Sequence, residues 1–339
     1  MSDQDHTAPP STLTDVARLA GVSPSTVSRI INGTAKVSDH KRRAVLAAIE
    51  AVNFAPNLMA QALKKGRSMT IGIVVQDFGS PFFDETLRCV DDGLKGTGYT
   101  SVIASGHWSE EEEIARIRQL AGRKVDGVIL LSGRSGSAAI AQLAAQRPIV
   151  ATGCAVEARN AHGFTLDNAF GAGLAVRHLL DLGHRRIAFI AGRAGHQDAR
   201  ARLAGYRQAL LEEGIGFDEA LVADGDFRET GGMAAVARLL ASGQQFTAIF
   251  AANDLSAFGA RLALYRKAIR VPEDISLVGF DDLPGAAYTT PPLTTVRQPL
   301  YEMGRIAAGA VLRLINGEPV ETELPPLELV VRETTCRLR

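Results

Sequence analysis

From Ser68 onward, short apolar runs punctuate the chain, and between them lie longer stretches with helical periodicity. Residues 71–75, 100–104, 127–131, 149–151, 186–191, 247–250 and 276–280 read as strands. This alternation leaves few options. It predicts an α/β fold of parallel, doubly wound sheets with helices on both faces, and such sheets bind ligands at the carboxyl ends of their strands.

The residues before Ser68 have a different rhythm. Thr12-x-x-Asp15 is a capping-box-like start, and Leu13, Val16, Ala17 and Ala20 recur at helical spacing before Gly21 ends the segment. Ser23 suits an N-cap and Pro24 a first helical position, so a second helix is expected over about 24–32. Two short helices joined by a glycine turn make a helix-turn-helix, whose second helix enters the major groove of DNA. Ser25, Thr26, Ser28 and Arg29 are the polar candidates for base edges, leaving Val27, Ile30 and Ile31 for packing. Ser38 should cap a third helix over 39–52, with Val45, Leu46, Ile49 and Val52 completing a small all-α core. Short helices around a glycine turn also occur in domains that never meet DNA, so the pattern alone leaves both readings open.

Charge favours the first. Through Ser68 there are nine Lys or Arg against five Asp or Glu, whereas the whole chain is neutral. A basic head on a neutral body is the footprint of a phosphate-binding module. Residues 56–63 begin with proline and continue with helix formers for two turns, too short a helix to persist alone in water, and it is expected to fold on DNA.

With 339 residues, 46% of them hydrophobic, the chain can bury cores in two or three domains. The first ten residues are polar and proline-bearing, which reads as a flexible tail and not a signal peptide. No stretch approaches the roughly twenty apolar residues that span a bilayer. Cys89, Cys154 and Cys336 lack any paired spacing, so neither a disulfide framework nor a zinc site is suggested, and a cytoplasmic location suits them. Gly171-Ala172-Gly173 is followed by Val176 where a dinucleotide loop needs its third glycine. Residues 133–136 do not form a nucleophile elbow, and the seven histidines show no metal-ligand spacing. No catalytic residue, metal or cofactor is expected, and the chain does not read as an enzyme.

The wording of TLTDVARLAGVSPSTVSRIINGTAKVS and of NFAPNLMAQAL closely resembles the headpiece of the lactose-repressor/galactose-repressor (LacI/GalR) family of bacterial transcription regulators. IGIVVQDFGSPFF, VDGVILLS, LDNAFGAGLAVRHLLDLGHRRIAFIAG, FAANDLSAFGA and VPEDISLVGFDD are similar to landmarks of that family's core, so the resemblance covers almost the entire chain. It implies a tail over 1–11, a headpiece over 12–56 and a hinge helix with linker over 57–68. A two-lobe, periplasmic-binding-protein-like core over 69–332 follows, one lobe about 69–166 plus 298–325 and the other about 167–297 plus 326–332.

By the same resemblance Thr12, Ser23, Pro24, Ser25, Thr26, Ser28, Arg29 and Asn32 face DNA. In the hinge helix, Asn57, Ala60 and Leu63 sit in the minor groove, Leu63 as an apolar wedge that kinks the duplex. Arg202, Asn253, Asp281 and Phe227 align with effector contacts, with Phe82 or Phe83 as a second aromatic face and Asp77 and Arg193 as further candidates. Each has a plainer alternative, a core phenylalanine or a helix cap. Thr152-Gly153-Cys154 stands where the family commonly supplies a carboxylate, which removes one expected polar contact. His184 is placed at a helix-to-strand turn, where a structural role is expected.

The expectation is a ligand-responsive regulator, most simply a repressor, binding a near-palindromic operator as a homodimer. The residues after 326–332 add no leucine heptads, which favours a dimer over a tetramer. A small sugar or sugar acid is the expected effector. A purine effector or a protein co-regulator is the alternative, and a solute-binding protein, which would need a signal peptide, is more distant.

Overall fold

The computed structural model describes residues 11–31, 37–54 and 66–338. The chain divides into two compact units, Met1–Ser68 and Met69–Arg339. The tail through residue 10, Asn32, Asn57, Ala60, Leu63 and most of the expected hinge helix lie outside the described residues.

The first unit holds α1 (Leu13–Leu19), α2 (Pro24–Ile31) and α3 (Asp39–Ala51). Thr12 and Asp15 form a reciprocal capping box: the Thr12 hydroxyl accepts from Asp15 N–H at 3.3 Å, and the Asp15 carboxylate accepts from Thr12 N–H at 2.9 Å. Gly21 makes the turn with a left-handed φ of 64°, which costs glycine nothing. Ser23 Oγ then accepts from Thr26 N–H at 3.2 Å to start α2. Val16, Ala17, Val27, Ile30, Val45 and Ala48 are the buried core, flanked by Ile31, Ile49 and Val52.

Two details differ from expectation. Leu46 is 52% exposed, because one residue beyond Val45 the helix has rotated off the narrow stripe that meets α1 and α2. Ser38 stands at the N-cap of α3 with extended backbone, but its side chain makes no capping hydrogen bond; Asp39 in the first turn is the anionic group at that helix end.

The second unit contains two six-stranded sheets. The first comprises β1 (Thr70–Val75), β2 (Thr100–Ser105), β3 (Gly127–Leu130), β4 (Ile149–Thr152), β5 (Val156–Ala158) and β6 (Ala161–Phe164), in the order β2-β1-β3-β4-β6-β5. The second comprises β7 (Ile187–Ile190), β8 (Val222–Ala223), β9 (Ala248–Ala251), β10 (Ser276–Asp281), β11 (Thr294–Arg297) and β12 (Glu328–Val330), in the order β12-β11-β10-β9-β7-β8. All pairings are parallel except the edge strands β5 and β12, which run antiparallel to β6 and β11.

The inner strands β1, β3, β4, β7, β9 and β10 are buried on both faces, so they are largely apolar and their two-residue period sorts side chains between two cores, whereas the edge strand β2 exposes Val102 and Ile103. Ile71, Ile73 and Val75 face α4 (Pro81–Leu94) and α11 (Leu300–Asn316), whereas Val74 joins the layer with α5 (Glu110–Gly122) and α6 (Ser137–Leu143). In the second sheet Ile187, Phe189 and Phe250 pack against α7 (Asn168–Asp181) and α8 (Gln197–Glu212). Ala188, Ile190 and Ile249 face α9 (Glu229–Ala241) and α10 (Asp254–Arg266). After β11 the chain returns to the first lobe, where Met303, Ala307 and Val311 of α11 pack with Phe83, Val90 and Leu94, and it then crosses again to supply β12. No helix among the described residues is long and apolar enough to cross a membrane.

Candidate functional site

The carboxyl ends of both sheets open onto one cavity of about 300 Å³, at the small end of the range for ligand sites. Residues just after β1, β3, β7, β8, β9 and β10 line it, as the strand order requires. Seven of the expected effector contacts are brought together here: Asp77, Phe82, Phe83, Arg202, Phe227, Asn253 and Asp281. Arg193 is not. Its guanidinium lies 5.1 Å from the Trp108 ring centroid, stacked behind the cavity wall.

At the floor is a buried polar chain. Arg202 Nε donates to Asn168 Oδ1 at 2.8 Å, Nη1 donates to the Ala252 carbonyl, and Nη1 lies 3.6 Å from Asp281 Oδ1. Its Nη2 has no hydrogen-bond partner among the described residues. The guanidinium plane covers the Phe280 ring at 3.7 Å, which fixes the fork in orientation. Asp281 Oδ1 also accepts from Gln298 Nε2 at 2.6 Å. Burial pushes the Asp281 carboxyl up to about 7, against the pull of Arg202. Burial likewise holds Arg202 below its usual value. Asp254, fully buried one residue beyond Asn253, is raised well above the carboxylate range by burial and then by Asp281.

The aromatic wall includes a residue that the sequence reading missed. Trp108 follows β2 with a left-handed φ of 59°, and its ring faces Phe227 at 6.3 Å with 27° between planes. Phe83 and His196 meet Trp108 edge-on at 5.9 and 5.4 Å. Phe227 itself has φ of 69°, an uncommon conformation for a bulky residue, and its carbonyl accepts from Asn253 Nδ2 at 3.0 Å. Asn253 Oδ1 meanwhile caps α10 by accepting from Ser256 N–H at 3.0 Å. Its amide is thus occupied by the protein, and the residue both lines the cavity and holds Phe227 in place. Phe83, only 2% exposed, is largely core, and Phe82 packs edge-on against it.

His196 bridges the lobes. Its Nδ1 accepts from Asp198 N–H at 3.3 Å and its Nε2 faces the Ser132 carbonyl at 3.4 Å, an arrangement that suits the neutral Nε2–H tautomer. Burial lowers its pKa. Ser132 is held in turn by Thr152, whose hydroxyl accepts from Ser132 N–H at 2.9 Å. At the position where a carboxylate was expected, the threonine therefore braces a cavity residue and does not line the cavity itself. Beneath the same loop, the buried Glu113 accepts from Arg134 N–H at 2.5 Å and Ser135 N–H at 3.4 Å. At the cavity mouth Arg228 Nη2 meets Asp77 Oδ2 at 2.5 Å. His184 lies apart, fastened between Thr247 Oγ1 at 2.9 Å and the Cys336 carbonyl at 3.0 Å in the turn before β7.

In the first unit Ser23, Pro24, Ser25 and Arg29 are exposed on α2 and its approach, while Thr26 and Ser28 are half-buried. Ser23 Oγ lies 2.9 Å from both Ser25 Oγ and Thr26 Oγ1, so these hydroxyls bond to each other. No group of His, Cys, Asp and Glu among the described residues could hold a metal ion.

Residues 12–57 match the family described as bacterial regulatory proteins, lacI family, and residues 176–335 match the periplasmic binding protein-like domain. The chain is 38% identical over 331 residues to the HTH-type transcriptional regulator GalR of Escherichia coli (strain K12), covering 96% of this chain and 94% of that one. Its fold is similar to the crystal structure of the lac repressor dimer bound to operator and the anti-inducer ONPF. The TM-score is 0.85 at 30% identity, over 97% of this chain and 100% of that one. A complex of the transcriptional regulator CelR with cellobiose matches with a TM-score of 0.71 at 38% identity, over 96% and 99% of the two chains.

Proposed function

The chain belongs to the lacI family of bacterial regulatory proteins, a DNA-binding transcription regulator and not an enzyme, and from that premise we propose that it is a cytoplasmic homodimeric repressor whose effector is a neutral sugar. Each headpiece reads one half of a near-palindromic operator, with Arg29 and the hydroxyls of Ser25, Thr26 and Ser28 toward base edges and Ser23 and Thr12 at the backbone. The hinge residues Asn57, Ala60 and Leu63 occupy the centre of the site. Binding of effector changes the closure of the two lobes, and operator affinity follows because the ligand favours one state over the other.

The observation that carries the choice of effector is the composition of the cavity. The guanidinium of Arg202 and the carboxyl of Asp281, with Nη1 and Oδ1 3.6 Å apart, bring donors and an acceptor together in the cavity lining, the pairing that a vicinal diol satisfies. Trp108 and Phe227 supply flat apolar faces for the ring carbons. Five acidic residues line the cavity (Asp77, Asp198, Asp226, Glu229 and Asp281) against two arginines, Arg202 and Arg228. That balance disfavours a sugar acid or sugar phosphate, which narrows the expectation drawn from sequence.

A thermal-shift screen of the full chain against neutral sugars, sugar acids, sugar phosphates and purines tests this reading. Ligand at about a hundred times its Kd adds roughly 2.7 kcal/mol to stability. The expected hit is a neutral mono- or disaccharide whose shift is lost in Asp281→Ala and in Arg202→Ala. A response confined to purines or anionic sugars overturns it.

A further inference from the structure

Among the described residues, a single ion pair joins the two lobes: Asp77, in the loop after β1, and Arg228, at the start of α9, meet at 2.5 Å across the cavity mouth. Gln298 Nε2 donates to Asp281 Oδ1 at 2.6 Å where the chain crosses between the lobes, and away from that crossover the direct polar links are weaker, such as the 3.4 Å approach of His196 Nε2 to the Ser132 carbonyl. The arginine is held on its own side as well, because its backbone N–H donates to Asp226 Oδ1 at 3.0 Å. The pair sits where opening must separate it. Asp77 and Arg228 have side-chain exposures of 29% and 50%, so the contact is partly screened and should weaken with salt.

We propose that Asp77 and Arg228 form an ionic latch that closes the cleft mouth and makes Asp77 a determinant of effector charge. When the lobes close over an uncharged ligand, the two groups satisfy each other. An anionic group at the mouth must instead draw Arg228 away, leaving the Asp77 carboxylate unpaired beside Asp226 and Glu229. The selection against anions is thus made by a residue that denies its partner cation to the ligand. The effector-charge half rests on the cleft being the effector site, whereas the latch itself does not.

Trp108, the only tryptophan of the chain, lies in the cavity wall and reports on closure without any ligand. Its fluorescence in the full-length protein would be quenched with acrylamide, an uncharged probe, from about 0.05 to about 1 M sodium chloride. Wild type should be protected at low salt and lose that protection as salt rises. Asp77→Asn and Arg228→Gln should be quenched about twofold more strongly at low salt and show no salt response. The reversed pair Asp77→Arg/Arg228→Asp should regain both protection and salt sensitivity, which a merely misfolded loop would not do. Equal quenching of wild type and Asp77→Asn at low salt, or a reversed pair that stays unprotected, overturns the latch.

Titration with inorganic phosphate, against sodium chloride at matched ionic strength, tests the charge selection. Asp77→Asn should gain a saturable change in Trp108 emission that wild type lacks, and identical responses overturn that half. Because the quenching needs no effector, failure of the latch is distinguishable from a wrong assignment of the effector.

Discussion

Asp281 combines a left-handed φ of 119°, nearly complete burial and a place between Arg202 and Gln298. Burial raises its pKa to about 7, so its protonated form is the one that the ligand-free fold prefers. Its stabilising contribution is full below the ordinary carboxylate range and is lost as pH rises through about 7. The ionised form is the stronger acceptor for a ligand hydroxyl, so effector affinity should run the other way, weakening by up to about tenfold from pH 8 to pH 6. Calorimetric titration across that range would show it, and Asp281→Asn should bind weakly with a flat profile. Arg202, Asn253, Asp281 and Phe227 could be found in the sequence because each sits in a motif that resembles a family landmark; Asn253 and Asp281 also stand at strand ends, whereas Arg202 lies within α8. Trp108, His196 and Arg228 could not, because they lie on loops that become neighbours only when two sheets built from distant segments face each other. One signal was available for Trp108: a lone tryptophan just after a strand of a doubly wound sheet is at the ligand end by position alone.

Among the elements, α9 and α10 approach each other backbone to backbone. A Cβ at Gly259 would stand 1.8 Å from the Glu229 carbonyl oxygen, and one at Gly232 would stand 2.1 Å from that of Ser256. Neither neighbour is a flexible side chain that could step aside. Gly259→Ala should therefore destabilise the second unit by about 1–3 kcal/mol or more, seen as a melting point lowered by several degrees, with the cleft disturbed through Asn253 at the start of α10. At this scale the sequence was most legible where local chemistry decides. Thr12, Gly21, Ser23 and Pro24 mark the bounds of α1 and α2, and seven strands fall within one residue of their expected limits. The strands β5, β8 and β11 are legible only through their pairing, since AHGF-like or two-residue segments carry too little apolar pattern to stand out; β6 belongs with them. Leu46 was misassigned to the core because periodicity marks a helix face without saying how wide a stripe the neighbours cover.

At the scale of the whole molecule, the division at Ser68 predicts separable activities. A fragment comprising residues 69–339 should fold, show the effector-induced thermal shift of the full chain and lose binding to operator DNA in a fluorescence anisotropy titration. Loss of the thermal shift in a folded fragment would mean that the effector site needs the first unit. The alternation of strands and helices announced the fold class, but it could not announce which helix serves which sheet. That pairing is decided by packing: Met303, Ala307 and Val311 of α11 find their partners in α4, more than two hundred residues earlier in the chain. The arrangement has a consequence for synthesis. On the ribosome the first sheet is complete once Phe164 has emerged, yet one of its covering helices ends only at Asn316. At about 5–20 residues per second, the nascent chain waits roughly eight to thirty seconds with that apolar face uncovered. During this interval the half-made regulator is a client for chaperones, and a messenger cut short before α11 yields a product for proteases.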